Sequence, residues 1–439
     1  MTILDLLAKQ YVELTLIKHA YHDKWDVYWL ADTPFWKRTT LDVSRDAPVY
    51  PYKSAPELRV AGDKEMALPE ILREARELYD ALENLKGIAK GNDCIRLGYL
   101  IEHTKALITR CRFLLGEQLS YNEYTFGMYG LVAPQFDSDS HERTLEELKS
   151  SLPGSGDLEK RMRDYKERIR IPRDRISAVM NAAARFFHDA GVKHMGLKEC
   201  NMPRLRYRDL NGREFVTVLF GYDYDEISLE MNFGRDFPFY LDTIREIAGH
   251  ELEPGHFTFM NLRTKGMVDT NYPELGLNSH SPSSSFIEGG SRIAIELALD
   301  TPQKEREFDE LLFDLAGVDR QLAECLPAWR RYAWSANYGK LEIERNLWDE
   351  CWTKEQALRF AKGEKIVWEN ADESVLDQFA EDEGHFTSHD YCRDVVRRYY
   401  KMRYNTTEEK WAAYTRLCQT PFTMAGIVDG SFDPFAFQY

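Results

Sequence analysis

Residues 241–256 read Leu-Asp-Thr-Ile-Arg-Glu-Ile-Ala-Gly-His-Glu-Leu-Glu-Pro-Gly-His. Leu241, Ile244, Ile247 and Ala248 recur at spacings of three and four, so the stretch is an amphipathic helix with one face turned to a core. Asp236 is placed to cap it, and Pro238 enters its first turn without losing a needed donor. On an ideal helix Glu251 stands seven residues after Ile244, almost directly above it, and His250 follows Ile247 by three. A carboxylate and an imidazole thus lie side by side at the inner edge of the helix, a pairing suited to a metal and a base. In the usual zinc hydrolase helix the second His comes four residues after the first, and the Glu beside the first is the general base. Here position 254 is Pro, and the next imidazole, His256, is six residues on. An unbroken helix would point it away, but Pro254 and Gly255 allow a bend that swings it back toward His250. The plain alternative is a helix end with two surface histidines.

Upstream, residues 204–210 and 213–220 flank Asn211-Gly212, the pair favoured in a tight type I′ turn, which predicts a β-hairpin. Ile227, Leu229 and Met231 alternate along 226–231 and predict a third, half-buried strand, bracketed by Glu226 and Asn232. A small antiparallel sheet is therefore expected just before the motif helix. Downstream, the polar loop 281–285 leads into Phe286-Ile287-Glu288-Gly289-Gly290-Ser291-Arg292. Glu288 falls in the first turn of the predicted helix, where its charge is favoured by the helix dipole in any case. A Glu on a second helix is also how one class of zinc hydrolases completes a His, His, Glu set with a position left open for water.

The order and spacing His250-Glu-x-x-Pro-Gly-His256 followed by Phe-x-Glu288-Gly resembles the bacterial family catalogued as domain of unknown function 885, regarded as gluzincin-like metallopeptidases. The specific likeness spans about residues 226–300. It implies a zincin-like helical fold, His250, His256 and Glu288 as metal ligands, and Glu251 as base. It further implies an edge strand beside the motif helix on which an extended peptide would lie. Family members follow the second His with another His and then Gln, and continue Glu-Gly with Trp-Ala; this chain has Phe257, Phe259, Gly290 and Ser291. Related peptidases stabilise the oxyanion with a downstream Tyr or His; Tyr391 is a candidate, following Thr387-Ser388 flanked by His385 and His389, but the spacing does not select it over Tyr332, Tyr338, Tyr399, Tyr400 or Tyr404. Glu246 is a candidate to orient His250, Glu253 and Glu296 are alternative acidic ligands, and Arg292 could pair with a ligand or a substrate carboxylate. His280 lies in the loop between the two motif helices. His19, His22, His103, His141, His188 and His194 show no ligand spacing.

The rest of the chain is helical in period, and the fold class read from it is mainly α. Ile3, Leu7, Tyr11, Leu14 and Ile17 mark one amphipathic helix, and Ile71, Ala75, Leu78, Leu82 and Leu85 another. Residues 95–121, 141–170, 173–190, 304–325, 371–382, 389–403 and 407–418 read alike, with breaks at Pro172, Gly191 and Pro327. A single domain over 1–439 is expected, with a helical part to 195, the sheet and motif helices from 196, and a cleft between them. The 439 residues are 43% hydrophobic, enough for a core, and a net charge of −16 disfavours nucleic acid and anionic membranes. No apolar run is long enough to span a bilayer, and Asp5, Lys9 and Glu13 interrupt the N-terminus, so a cytoplasmic protein is expected. Seven scattered cysteines without Cys-x-x-Cys spacing suit reduced thiols. The reaction these features predict is hydrolysis of a peptide or amide bond by metal-activated water, zinc first, with iron or manganese as alternatives. Two other readings are a metalloenzyme acting on a small metabolite and a non-catalytic member of the fold.

Overall fold

The computed structural model describes residues 2–22, 28–29, 66–197, 204–208, 216–219, 228–232, 238–278, 281–363, 371–381 and 383–438. These residues are mainly α. Helices α1 (Ile3–His22), α2 (Leu68–Glu83), α3 (Asn92–Leu114), α4 (Tyr121–Tyr129), α5 (Ser138–Ser151), α6 (Leu158–Arg168) and α7 (Ile176–Met195) precede the sheet region. After it come α8 (Leu241–Glu246), α9 (His256–Thr270), α10 (Pro282–Ala298), α11 (Pro302–Ala316) and α12 (Leu326–Trp348). The chain then forms α13 (Lys354–Ala361), α14 (Glu373–Glu381), α15 (Cys392–Arg403), α16 (Thr407–Gln419) and α17 (Met424–Asp429).

Several boundaries differ from those read off the sequence, each for a local reason. The run 141–170 divides into α5 and α6 at Pro153–Gly156, and Asp157 restarts the helix by accepting the Lys160 N–H at 2.8 Å. The run 95–121 stops at Leu114, and Ser120 opens α4 through a reciprocal cap with Glu123. Gly191 lies inside α7, which ends at Gly196, with φ +68°. Pro327 does not break a helix but sits in the first turn of α12, where its missing N–H costs nothing; the break falls earlier, at Gly317.

Strands β1 (Tyr28–Trp29), β2 (Arg204–Arg208), β3 (Val216–Leu219), β4 (Ser228–Asn232) and β5 (Leu277–Asn278) form two small sheets. β1 pairs antiparallel with β5. In the other sheet β4 is central, parallel to β2 and antiparallel to β3. The expected β2–β3 hairpin is therefore not formed and the sheet is mixed rather than antiparallel: both outer strands pair with β4 instead of each other. β4 has a neighbour on each side, so it is not the edge strand the resemblance implied. Asn211, Gly212, Glu226, Asp236 and His280 lie outside the described residues.

α10 is at the centre of the largest apolar cluster, with Phe286, Ile293, Ala294 and Ile295 almost wholly buried. That cluster joins residues on both sides of 195, including Tyr165, Phe187, Ile244, Tyr399 and Trp411. A second cluster packs α1, α2 and α3 with Leu275 and Leu277. Each fully buried large apolar side chain contributes about 1.5–3 kcal/mol, so α10 is a firmly held platform for a polar site. No helix among the described residues is long and apolar enough to cross a membrane.

Candidate metal centre

The motif helix does not continue as a regular α-helix. Ile247–Leu252 form a π-helical turn, whose hydrogen bonds reach one residue further than those of an α-helix. Gly249 lets this turn press on its neighbours, since a Cβ there would lie 2.7 Å from Ile295 Cγ1 and 3.0 Å from Phe187 Cζ. The helix ends at Glu253, which is extended (φ −117°, ψ 138°), and α9 opens at His256. Between them the chain folds back so tightly that a Cβ on Gly255 would fall 1.9 Å from the His250 carbonyl oxygen. The bend anticipated at Pro254-Gly255 thus brings the rings of His250 and His256 to 4.3 Å between centroids, inclined at 78°. Donor atoms of His250, Glu251 and His256 all lie within 4.8 Å of one another.

Glu288 meets this pair from α10. Its Oε2 is 3.1 Å from His250 Nε2, and its Oε1 is 3.4 Å from His256 Nε2. Because α10 begins at Pro282, Glu288 lies in the second turn, beyond the first-turn position that the dipole reading assumed. The next residue explains what faces it. A Cβ on Gly289 would stand 2.7 Å from both the Arg393 nitrogen and the Cys392 carbonyl carbon, so α10 and the start of α15 touch backbone to backbone. That contact seats a second π-helical turn, Thr387–Tyr391, against Glu288. His389 Nε2 lies 3.3 Å from Glu288 Oε2, the oxygen that also faces His250.

Tyr391 does not line the cavity formed here. It packs partly buried against the apolar clusters, while His385 and His389 line the cavity. The four-residue step from His385 stacks the two imidazoles, with centroids 3.9 Å apart. Downstream spacing alone offered no means of choosing His389 over Tyr391.

The cavity is about 650 Å³ and is walled by α8, the first π-helical turn, the start of α9, α10, α12, the second π-helical turn with the preceding His385, and the start of α15. None of its lining residues precedes 242, so the expected cleft against the N-terminal helices is not where the site lies. Arg245 pairs with Glu305 at 2.5 Å, Arg330 with Asp309 at 2.7 Å and Arg393 with Glu296 at 2.6 Å. Arg292 pairs with Asp390, to which Asn337 also donates at 2.9 Å. Trp329 and Trp334 supply apolar wall from α12, a helix the periodicity reading does not include and which opens at the Pro327 given there as a break.

Electrostatics bind the centre together. Burial disfavours the charged form of His256, but the adjacent Glu288 carboxylate overrides this and raises its pKa to about 9. Burial would push the Glu288 carboxyl up, yet the His256 and His389 imidazoles hold it well below the usual range. His389 goes the other way, pushed well below its ordinary value by burial. His250 Nδ1 is buried and has no hydrogen-bond partner among the described residues. The donor set fits a divalent cation, being imidazole nitrogens and a carboxylate in the combination used by catalytic zinc sites. The separations of 3.1 and 3.4 Å from the two imidazoles to the two Glu288 oxygens are close to the ~3.3 Å edge of a tetrahedral shell with bonds of about 2.05 Å.

The other candidates fall into place as structure. Glu253 is buried against His188 and does not line the cavity. Glu296 holds Arg393 and Arg397. Glu246 faces the cavity, 3.5 Å from Arg245 Nε, and does not bond His250. His141 meets Ser335 at 2.7 Å, and His194 stacks on Trp411. Phe257 and Phe259, where the chain departs from the family pattern, are buried and do not line the cavity. Sequence reasoning missed Glu344, whose Oε1 accepts the N–H groups of Gly384 at 2.8 Å and His385 at 3.0 Å and so anchors the segment leading to His389.

No family model matches the chain, and no curated protein matches it. Among solved structures it is similar to one described as "putative lipoprotein from Colwellia psychrerythraea", at 12% identity and a TM-score of 0.47, over 83% of this chain and 69% of that one.

Proposed function

We propose that this protein is a zincin-like, metal-dependent hydrolase that cleaves an amide bond, with His250, His256 and Glu288 as ligands and Glu251 as general base. The observation that carries the reading is the convergence of two imidazoles from one folded-back segment on a carboxylate from a separate helix, with a second carboxylate beside them. A divalent ion held there, zinc in the first instance, would polarise a carbonyl and bring the pKa of water toward neutrality. Glu251, which lines the cavity, would accept a proton and return it to the leaving amine. The Arg292–Asp390 pair and the Asn337–Asp390 bond brace the cavity wall, and Trp329 and Trp334 add apolar lining. The test is a screen of short peptides and small amides against the native protein and Glu251→Gln. Turnover by the native protein and none by the variant, with metal content equal in both, supports the reading; equal turnover in both removes Glu251 from it.

One observation favours a second reading, in which the substrate is a small metabolite. β4 already has partners along both edges, so an extended peptide has no free backbone on that strand to pair with. Cleavage of small amides with no cleavage of peptides in the same screen selects this reading.

A further inference from the structure

The wall of the cavity is rich in charge, and pairing the charges off leaves one carboxylate over. Asp242 is held by Lys166 and accepts the Trp329 indole N–H at 2.9 Å. Arg245 and Arg330 are set against Glu305 and Asp309, with Glu305 shared between them. Arg393 and Arg397 are set against Glu296 and Asp394. Arg292 is set against Asp390. Each of these groups balances cations and carboxylates one for one. Glu251 and Glu288 belong to the centre itself, where a divalent ion would offset both.

Glu246 has no counterpart of this kind. It lines the cavity with its side chain 47% exposed, and no donor among the described residues hydrogen-bonds its carboxylate. Its nearest cation is Arg245 Nε at 3.5 Å, a nitrogen that makes no hydrogen bond, while Nη1 of the same guanidinium is committed to Glu305. Arg292 and Arg393 act on Glu246 only through space, each having a carboxylate of its own in contact. By the same count these guanidiniums are poor receptors for a substrate carboxylate. Glu246 closes α8 four residues before His250. Side chains four apart along a helix are neighbours, about 5–6 Å between Cβ atoms, so this carboxylate stands beside the metal centre. A free carboxylate in an otherwise balanced cavity is a receptor for a cation that arrives with the substrate.

We propose that Glu246 binds the free α-ammonium group of the substrate, so that the amide cleaved is that of an N-terminal residue or of a small amino-acid amide. The inference rests on the metal-hydrolase reading of the centre and names a substrate class for it. The short reach from Glu246 to His250 is what selects the α-ammonium, two bonds from the carbonyl that the ion would polarise, over an ammonium at the end of a long side chain. Ile247, Ile287 and Ile295 line the same cavity and offer an apolar wall to the residue that carries it.

The test reads binding rather than turnover. Zn²⁺-loaded native protein, Glu246→Gln and Glu246→Asp are titrated by calorimetry with three hydroxamates, each offering the ion the same chelating group. These are leucine hydroxamate, isocaprohydroxamate, which is the same molecule without its amine, and ε-aminocaprohydroxamate, whose ammonium is at the far end of the chain. The native protein is expected to bind leucine hydroxamate ~10–100-fold more tightly than isocaprohydroxamate, the range for a hydrogen bond to a charged group. Glu246→Gln should bring that ratio to about one with metal per chain unchanged, and Glu246→Asp should give an intermediate ratio. In the native protein the ratio should shrink as pH rises through the α-ammonium pKa of about 8. Equal binding of the two leucine-like probes by the native protein, or an unchanged ratio in Glu246→Gln, overturns the role of Glu246 while leaving the metal site intact. A gain confined to ε-aminocaprohydroxamate moves the ammonium to a side chain and overturns the α-ammonium assignment. Binding of none of the three overturns the metal reading and this inference together.

Discussion

α10 carries a buried polar cluster at each end of its first half, and the two are built on opposite terms. At Ser283 the cluster is closed by the protein itself. His103 donates Nδ1–H to the Tyr99 carbonyl at 2.8 Å and has Nε2 at 2.8 Å from Ser283 Oγ, while Arg263 donates to the Tyr99 hydroxyl, Ser283 and the Thr420 carbonyl. Burial drives the His103 pKa down to about 3, so the ring is neutral and both nitrogens are engaged. Nearby Arg96 is locked between Glu274 and Asp5, each at 2.6 Å. Less than two turns along, at Glu288, three imidazoles face one carboxylate at 3.1–3.4 Å, and His250 Nδ1 has no partner among the described residues. A saturated cluster specifies packing, whereas a convergent and unsaturated one is arranged for something it can take up.

Substitutions in the two clusters should separate along this line. The largest effect is expected from Glu251→Gln, which should lower kcat by ~10²–10⁴-fold while leaving metal per chain unchanged. Steady-state kinetics with elemental analysis checks both halves. In the closed cluster, Arg96→Met strands the buried Glu274 and should cost about 3–5 kcal/mol of stability by denaturant unfolding. The folded fraction should keep its full metal content; loss of the ion would show that the two clusters are not separable.

Glu344 links the helical scaffold to the His389 segment and gives a pH signature. Burial raises its pKa to about 7, against the bonds from Tyr121, Gly384 and His385 that favour the charged form. A carboxyl whose folded pKa lies above its unfolded value contributes stability fully present below about pH 4.5 and lost as pH rises through about 7. Its contribution over that window is roughly 3 kcal/mol. Melts recorded from pH 5 to 8 should show Glu344→Gln gaining on the native protein as pH rises; parallel curves would remove Glu344 as the cause. The smallest effect is expected at Gly289→Ala, where a Cβ meets the Cys392–Arg393 backbone and overpacking should cost about 1–3 kcal/mol. Metal affinity should fall with it, as α10 and α15 are forced apart. A variant that binds metal normally would show that this approach does not shape the site.

The parts of the site legible in sequence are those set by local chemistry. Pro254 and Gly255 announce a bend, and the bend brings His256 to His250. The order of the motifs pointed to Glu288 without showing how it is reached. What the sequence did not reveal depends on contacts between distant segments. The π-helical turns at 247–252 and 387–391 shift side chains off the ideal helical wheel, so a four-residue spacing could not show that His389 rather than Tyr391 faces the cavity. Strand pairing was missed because Asn211-Gly212 specifies a turn type but not which strands pair across the sheet. α12 was missed because a proline that ends one helix and a proline that opens the next look alike until the preceding cap is known.

The central claim is that His250, His256 and Glu288 exist in this arrangement to hold a metal ion. It is tested most directly by elemental analysis of the native protein beside His250→Ala, His256→Ala and Glu288→Ala, after reconstitution and removal of loosely bound ions. One divalent ion per native chain, lost in each folded variant, is the predicted result. A native protein that takes up no ion, or variants that retain it, would contradict the account.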